Sequence, residues 1–416
     1  MTSPVARGAC PRLSEPMHTG DGLLARMVTA GPIPLDGFTR LCAAANEHGN
    51  GVMEISARGS LQVRGLTPLS APLFAKDVAS LDIELCEGVP VIASPLYGDL
   101  AALLDADALA ARLRRAIAET DLVLAPKVSV AVDGGGRLHL DSIAADIRLR
   151  AVSTATGSRL HIAFAGDGAS ATPLGLATPD AAVEVVIDLL AAIAALGPEA
   201  RATDLLRSQA TDGIRAMLRT RLEAVCHLPL RPRTEPIALH RLKDGACALG
   251  LGLALGHVRA DALIELMDIA TANGAVWVRP APHRALLLGP LTEARAVATR
   301  KAAETLGFIL ESRDPRRRIV ACPGAPSCAS GLIAARAIAA QLAGHLPTAL
   351  GIVHISGCAK GCAHPGPAPL TIVGTSQGCG IVRDGTARDT PETCVTADDL
   401  AVTVNRFTKS REAALA

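Results

Sequence analysis

The pattern of apolar and polar positions occurs twice along this chain. Residues 38–66, FTRLCAAANEHGNGVMEISARGSLQVRGL, align without a gap with residues 263–291, LIELMDIATANGAVWVRPAPHRALLLGPL. Each copy starts with apolar residues at helical spacing, reaches a glycine at the helix end (Gly49 or Gly274) and continues as two short alternating strands. A helix followed by antiparallel strands predicts an α+β half-domain of ferredoxin-like type.

A second pair of segments corresponds more loosely. VIASP at 91–95 precedes a predicted helix at 109–117 and a predicted strand at 127–132, and IVACP at 319–323 precedes a predicted helix at 331–342 and a strand at 351–355. Ser94 therefore falls at the position of Cys322. We predict a pseudo-twofold duplicated chain, with ferredoxin-like half-domains at 10–78 and 236–310 and larger domains at 79–235 and 311–416. A site between the halves would have one wall from each.

Composition narrows the class of protein. The 416 residues are 49% hydrophobic and only 2% aromatic, so a large aliphatic core is expected. A formal net charge of +1 provides no basic excess for phosphates, which argues against a nucleic-acid partner. No apolar run reaches the length of a membrane span and the N-terminus has no signal pattern, so we expect a cytoplasmic protein without a membrane partner.

Four of the 11 cysteines form two pairs, Cys322-x5-Cys328 and Cys358-x3-Cys362. Thiolate is a soft ligand, and four thiolates suit either tetrahedral zinc or a [4Fe-4S] cluster. The wider spacing is unusual for zinc, and the small residues around each pair let backbone amides approach the sulfurs. We therefore predict that these four cysteines bind one [4Fe-4S] cluster, with zinc as the less favoured alternative.

The two cysteine pairs in the second half of a duplicated chain resemble the nitrite/sulfite reductase superfamily. Its members place a [4Fe-4S] cluster against siroheme at a pseudo-twofold axis. GDGLLARM at 20–27 and SARGSLQVRGL at 56–66 are similar to that superfamily's first half-domain, and the resemblance extends from about residue 20 to about residue 382. The motifs RRIVACPGAPSC (317–328), SGCAKGCAHP (356–365) and PKVSVAVDGGG (126–136) resemble one branch, the precorrin-3B synthases.

This resemblance implies an activity. Precorrin-3B synthases are oxygen-dependent enzymes of aerobic cobalamin biosynthesis, with NADH as the formal reductant. They hydroxylate precorrin-3A, a metal-free tetrapyrrole related to siroheme, and close a lactone with a neighbouring acetate side chain. The family is associated with the [4Fe-4S] cluster and a mononuclear non-haem iron. Because this chain has no convincing dinucleotide-binding motif, we expect a separate reductase or ferredoxin-like carrier to donate the electrons.

The sequence departs from the reductases where they bind a small anion. Near Pro126 the reductases typically carry two or three cations, whereas here only Lys127 remains. Between the last two cysteines they usually carry Pro-Asn, whereas this chain has Ala359, Lys360 and Gly361. The resemblance therefore implies that the cavity holding siroheme in the reductases here holds a tetrapyrrole as substrate. Lys127 and His364, which lies beside Cys362, are the candidate catalytic residues.

A substrate with many carboxylates predicts basic side chains from both half-domains. Arg58 and Arg64 have the even spacing that places them on one face of a strand. The other candidate substrate-binding residues are in the second copy and in the basic run before the cluster loop: Arg279, His283, Arg284 and Arg317.

The sequence does not decide which residues would bind a non-haem iron. His139 and Asp141 have the His-x-Asp spacing of some two-His, one-carboxylate sites, although an ordinary alternating hairpin is the simpler interpretation. Further candidates are His18, His48, His283, His354 and His364. Two other functions also stay open. One is a siroheme-dependent ferredoxin nitrite or sulfite reductase, and the other is a non-catalytic iron-sulfur electron carrier, which would need far fewer residues.

Overall fold

A computed structural model describes residues 11–224, 227–346, 350–364 and 366–415. Within these ranges the chain forms four five-stranded sheets, nine α-helices and three short 3-10 helices. None of the helices described is both long enough and apolar enough to span a bilayer.

The first half of the chain contains ten strands and five helices among the described residues. The strands are β1 (Met17–Thr19), β2 (Gly22–Met27), β3 (Ile33–Pro34), β4 (Val52–Ile55), β5 (Leu61–Leu66), β6 (Val91–Ala93), β7 (Val130–Asp133), β8 (Ala145–Thr154), β9 (Gly157–Gly166) and β10 (Thr172–Ala177). The helices are α1 (Leu35–His48), α2 (Ser70–Ala79), α3 (Ala106–Ala118), α4 (Pro179–Ala194) and α5 (Ala202–Leu218).

The second half repeats this order of elements with one helix fewer in its described part. Its strands are β11 (Leu239–Arg241), β12 (Cys247–Gly252), β13 (His257–Arg259), β14 (Trp277–Ala281), β15 (Ala285–Leu291), β16 (Ile319–Ala321), β17 (Val353–Ser356), β18 (Ala368–Thr375), β19 (Gly378–Gly385) and β20 (Thr393–Val395). Its helices are α6 (Ala260–Ala272), α7 (Glu293–Thr305), α8 (Ala335–Leu342) and α9 (Leu400–Leu415).

The two ferredoxin-like sheets exchange a strand. The first has the order β1-β2-β5-β4-β13, and the corresponding sheet of the second half has the order β11-β12-β15-β14-β3. Strand β13 pairs antiparallel with β4, and β3 pairs antiparallel with β14. Helices α1 and α6 lie in one continuous apolar core that includes Phe38, Leu41, Leu266 and Met267. The two half-domains are therefore built around a shared interior.

Each larger domain contains a mixed sheet, β10-β9-β8-β7-β6 in the first half and β16-β17-β18-β19-β20 in the second. The strands β6, β7 and β8 run parallel, as do β16, β17 and β18, and the remaining neighbours are antiparallel. Ser94 follows β6 and Cys322 follows β16 directly. Loops at the carboxyl ends of parallel strands lie at one edge of a sheet, where ligands commonly bind.

Several predicted boundaries need correction. The strand predicted from residue 127 begins at Val130, so Lys127 lies in the loop before it. The helix predicted from residue 331 begins at Ala335, because Gly331 belongs to the cysteine loop and a Cβ there would lie 2.5 Å from the backbone of Ala325. Gly274 has the expected positive φ of 89°, whereas Gly49 is extended, with a φ of −112°.

Candidate active site

The four cysteines of the two pairs converge beside the carboxyl ends of β16 and β17. Cys322 and Cys358 follow these strands closely, and Cys328 and Cys362 lie in the loops that continue from them. Burial raises the pKa of the Cys362 thiol, and the like charges of Cys358, Cys322 and Cys328 raise it further. All four sulfurs therefore lie in one small region. To bind a metal centre, the thiols would have to lose their protons.

The cysteine sulfurs are spaced more widely than the ligands of one bound zinc ion. Among the described residues, these cysteines form no group of three whose Sγ atoms all lie within 4.8 Å of one another. A tetrahedral zinc site with Zn–S bonds of about 2.3 Å would bring every pair of sulfurs to about 3.8 Å. A four-iron cube takes one thiolate per iron and needs the wider arrangement, so the donor set fits the cube better.

Glycines let the backbone approach the cysteine sulfurs. The N–H of Gly357 donates a hydrogen bond to Cys322 Sγ at 3.0 Å. A Cβ at Gly357 would lie 2.9 Å from the Cα of Gly324, and one at Gly374 would lie 2.2 Å from the carbonyl oxygen of Gly357. Amide donors to thiolates are among the means by which proteins tune iron-sulfur clusters. The residues present therefore fit a [4Fe-4S] cluster.

The first half retains this backbone arrangement without the thiols. The N–H of Gly134 donates to Ser94 Oγ at 3.1 Å, which is the counterpart of the Gly357–Cys322 contact. This confirms the predicted correspondence of Ser94 with Cys322. The loops after β7 and β17 have equal lengths, and in that alignment His139 takes the position of Cys362. The first half thus has no comparable set of soft ligands at this position.

The His-x-Asp pair considered as an iron site lies in a salt-bridge cluster. Asp133, His139 and Asp141 offer ligand atoms within 4.8 Å of one another. However, Arg231 donates to both carboxylates, with a contact of 2.6 Å to Asp141 Oδ1. Burial alone would raise the pKa of Asp141, but the hydrogen bonds and charge of Arg231 outweigh it and hold that pKa below its usual value. The guanidinium therefore already neutralises these carboxylates.

A cavity of about 690 Å³ lies between the first sheet, the loop before β7 and strand β14. It fits the expectation of a substrate site with walls from both half-domains. Its lining includes one acidic residue, Glu87, and six cationic residues: Arg12, Arg26, Arg58, Lys127, Arg201 and Arg279.

Three of these six cations were not predicted, namely Arg12, Arg26 and Arg201. Arg26 could have been found, because it lies on a strand within the motif GDGLLARM that already resembled the superfamily. Arg12 and Arg201 lie outside the repeated motifs. No periodic pattern marked them.

The cavity cations differ in how far they are already paired. Arg279 donates to Asp107 at 2.8 and 2.7 Å, and the carboxylate of Asp146 neutralises Arg201. Lys127 and Arg58 are exposed in the cavity wall, although Arg58 also donates to the carbonyl oxygen of Ala144. Buried Ser129 lines the same wall, and in the described part of the chain its Oγ has no hydrogen-bond partner. The exposed ends of Lys127 and Arg58 can therefore meet a ligand in the cavity.

The other predicted residues are outside the cavity lining. His283 Nε2 lies 3.1 Å from Ser142 Oγ, and Arg317 pairs with Glu235 at 2.6 Å. Arg284 donates to the carbonyl oxygen of Ile319 at 3.3 Å. Their binding of substrate stays a prediction.

His364 and Arg64 lie in or against the loops that carry the cysteines. The His364 ring makes an edge contact with that of buried His354, with centroids 5.6 Å apart. Arg64 is buried, pairs with Asp21 and reaches the carbonyl oxygen of Ser327 at 3.1 Å. The roles predicted for His364 in catalysis and for Arg64 in substrate binding stay predictions.

Strand β5 connects the cavity with the cysteine loop. Ser60, just before this strand, lines the cavity, and Arg64 contacts Ser327, the residue before Cys328. Residues two apart in a strand share a face, and four residues span about 13 Å. The cavity and the loop that contains Cys328 therefore lie near opposite ends of one short strand.

Comparisons with known proteins agree with this geometry. No family model matches the chain. A protein named precorrin-3B synthase from a Sinorhizobium species is 40% identical over 394 residues, which covers 92% of this chain and 84% of that protein. The chain belongs to the precorrin-3B synthase family. The predicted family membership is thereby confirmed.

One further protein and one solved structure are similar to the chain at lower identity. Sulfite reductase [ferredoxin] 2 of Mycolicibacterium paratuberculosis is 25% identical over 160 residues, covering 34% of this chain and 29% of the reductase. The structure of NirA from Mycobacterium tuberculosis superposes with a TM-score of 0.72 at 18% identity, covering 93% of this chain and 80% of NirA. The predicted nitrite/sulfite reductase-like fold is confirmed.

Proposed function

We propose that this chain is a precorrin-3B synthase, an oxidoreductase that hydroxylates precorrin-3A with O2 and closes the lactone. The observation that carries the proposal is the cationic cavity with walls from both half-domains, joined by one strand to the first of the two loops that carry the four cysteines. In a monooxygenation one oxygen atom enters the product, and the other leaves as water with two electrons and two protons. The family relationship supports the same reaction.

The side chains in the cavity wall bind and orient the substrate in this proposal. Lys127 and Arg58 form ion pairs with carboxylates of the macrocycle, while Arg279 supports the wall through its pair with Asp107. Cys322, Cys328, Cys358 and Cys362 hold a [4Fe-4S] cluster, which supplies single electrons when bound. Of the two groups of potential iron ligands among the described residues, one is Asp133, His139 and Asp141, whose carboxylates Arg231 already binds, and the other is Glu47, His48 and Asp77.

The electrons come from a separate protein in this proposal. The chain contains no glycine-rich motif of the kind that binds a dinucleotide, so a reductase or a ferredoxin-like carrier would transfer electrons from NADH. We place the enzyme in the cytoplasm, where thiols stay reduced and available as ligands.

One assay separates the proposed function from its alternatives. The purified protein is given precorrin-3A, a reducing system and a measured amount of O2. We expect oxygen uptake and a product heavier by one oxygen atom, with a broad brown cluster spectrum. Intense, sharp visible bands together with nitrite or sulfite reduction would identify a siroheme enzyme instead. Reversible reduction without any oxygen uptake would identify an electron carrier.

A further inference from the structure

Arg64 is buried at the contact between the first sheet and the cluster loop. Its side chain is 4% exposed. The guanidinium binds Asp21 through Nε at 3.0 Å and Nη2 at 2.7 Å, and Nη2 also donates to the carbonyl oxygen of Ser327 at 3.1 Å. Glu54 lies 3.5 Å from Arg64 Nε. Arg64 is thus fixed by residues of its own half-domain and directed at the residue before Cys328.

The backbone on both sides of this contact is closely packed. Gly20, in the turn between β1 and β2, lies directly against Cys328 and Ala329, and a Cβ at position 20 would lie only 2.4–2.6 Å from their backbone atoms. Asp21, which binds the Arg64 guanidinium, follows Gly20 directly. The turn and Arg64 therefore contact neighbouring residues of the same cysteine loop. Arg64 and Gly20 both contact the loop that contains Cys328 directly.

We infer that Arg64 is a positioning residue for the cluster and not a ligand of the substrate: it holds the Cys328 loop and places a permanent positive charge beside the thiolates. This inference rests on the [4Fe-4S] site of the proposed function. Reduction adds one negative charge to a cluster that is already anionic. A nearby cation in a partly buried site stabilises the reduced form, so Arg64 raises the reduction potential.

The test is an EPR-monitored redox titration of the complete protein with dithionite. In Arg64→Gln the amide can still bond to Asp21, but the charge is lost. We expect the ratio of reduced to oxidised cluster at a fixed ambient potential to fall about tenfold, which corresponds to a shift of about 59 mV for a one-electron couple. Arg64→Lys retains the charge and should stay close to wild type. An unchanged potential in Arg64→Gln would overturn the inference.

A second pair of variants separates charge from loop position. Asp21→Asn disturbs the same contact but removes a negative charge. The reduction potential of the cluster in this variant should therefore not fall. If it falls as far as in Arg64→Gln, the effect comes from a displaced loop and the inference about charge is wrong. Arg259→Gln is the control, because Arg259 lies on β13 of the same sheet with an exposed side chain paired to Asp261. It should leave the potential unchanged.

Substrate binding provides an independent check. The affinity for precorrin-3A should be unchanged in Arg64→Gln and weakened in Arg58→Ala. A tenfold loss of affinity for precorrin-3A in Arg64→Gln would show that Arg64 binds the substrate, and it would overturn the inference. If the wild-type protein contains no four-iron cluster, the cofactor proposal fails, and iron and sulfide analysis shows this before any variant is compared.

Discussion

Asp107 accepts hydrogen bonds from both terminal nitrogens of Arg279, and this pair joins the second residue of α3 to strand β14. In the other half, Arg336, the second residue of α8, donates to Glu54 on β4. Positions 54 and 279 correspond in the sequence repeat, so the same contact recurs with its charges exchanged. If each larger domain docked on the other ferredoxin-like sheet, Asp107 would face Glu54 and Arg336 would face Arg279. Repulsion between these like charges disfavours that arrangement.

Removing one partner of the Arg279–Asp107 pair should destabilise the protein. Arg279 is buried, and without Asp107 its charge would lose its hydrogen-bonded partner. We expect Asp107→Ala to lower the free energy of unfolding by about 3 kcal/mol. Asp180→Ala is the control, since Asp180 pairs with Arg112 at the surface and should change stability by less than about 1 kcal/mol. Urea unfolding midpoints measure both, and equal effects would contradict the prediction.

Substrate binding should depend on Lys127. Its ammonium group is exposed in the cavity wall, where it can pair with a carboxylate of the tetrapyrrole. A hydrogen bond to a charged group contributes about 1.5–3 kcal/mol, so Lys127→Ala should weaken binding at least about tenfold. Anaerobic absorbance titration with precorrin-3A measures the affinity without turnover. Arg313→Ala, an exposed cation outside the cavity lining, should bind as wild type does.

Cluster content should depend on the paired cysteines and not on cysteines in general. Cys358→Ser should remove most of the iron and acid-labile sulfide, because a hydroxyl is a poor substitute for a soft thiolate ligand. Cys379→Ser changes a buried cysteine of the same sheet, on β19, and should retain four irons per chain. The measurement is iron and sulfide analysis after anaerobic purification. One zinc and no sulfide in the wild type would contradict the cluster assignment.

Arg231 should stabilise the fold in a pH-dependent way. The pKa of Asp141 is lowered in the folded state, so the contribution of this pair is present above the unfolded pKa and is lost as the pH falls through the folded one. Arg231→Met should therefore lower the free energy of unfolding by about 3 kcal/mol near neutral pH. The difference from wild type should shrink below about pH 4.

Urea midpoints of wild type and variant, compared at the same pH, test this dependence. Arg233→Met is a suitable control, because Arg233 is exposed and only two residues away in the same loop. A difference between wild type and Arg231→Met that stays constant from neutral to acid pH would show that packing, and not charge, is responsible.

The sequence predicted what depends on local pattern. Helical spacing in 38–48 and alternation in 61–66 depend on neighbouring residues, and the structure has α1 and β5 there. The cysteine pairs were also found by local spacing. The exchange of β3 and β13 could not be predicted, because strands of two and three residues are too short to show a pattern.

Arginines could not be assigned to partners from sequence alone. Even spacing predicted one face of a strand for Arg58 and Arg64, but this is wrong, because Arg58 lies in the turn between β4 and β5 and only Arg64 lies on β5. Arg58 lines the cavity, whereas Arg64 contacts Ser327, which lies 263 residues away along the chain. Such a contact depends on how the two halves dock, and no periodicity of the first half contains that information.

The strand exchange between the halves makes each copy of the repeat depend on the other. A single copy of the repeat would have an unpaired sheet edge and a displaced strand, so it could complete its sheets only as a homodimer with two equivalent sites. In one chain each copy has its partner at a local concentration that does not depend on protein concentration. The two copies also need not be identical: Ser94 accepts in the first half the backbone hydrogen bond that Cys322 accepts in the second.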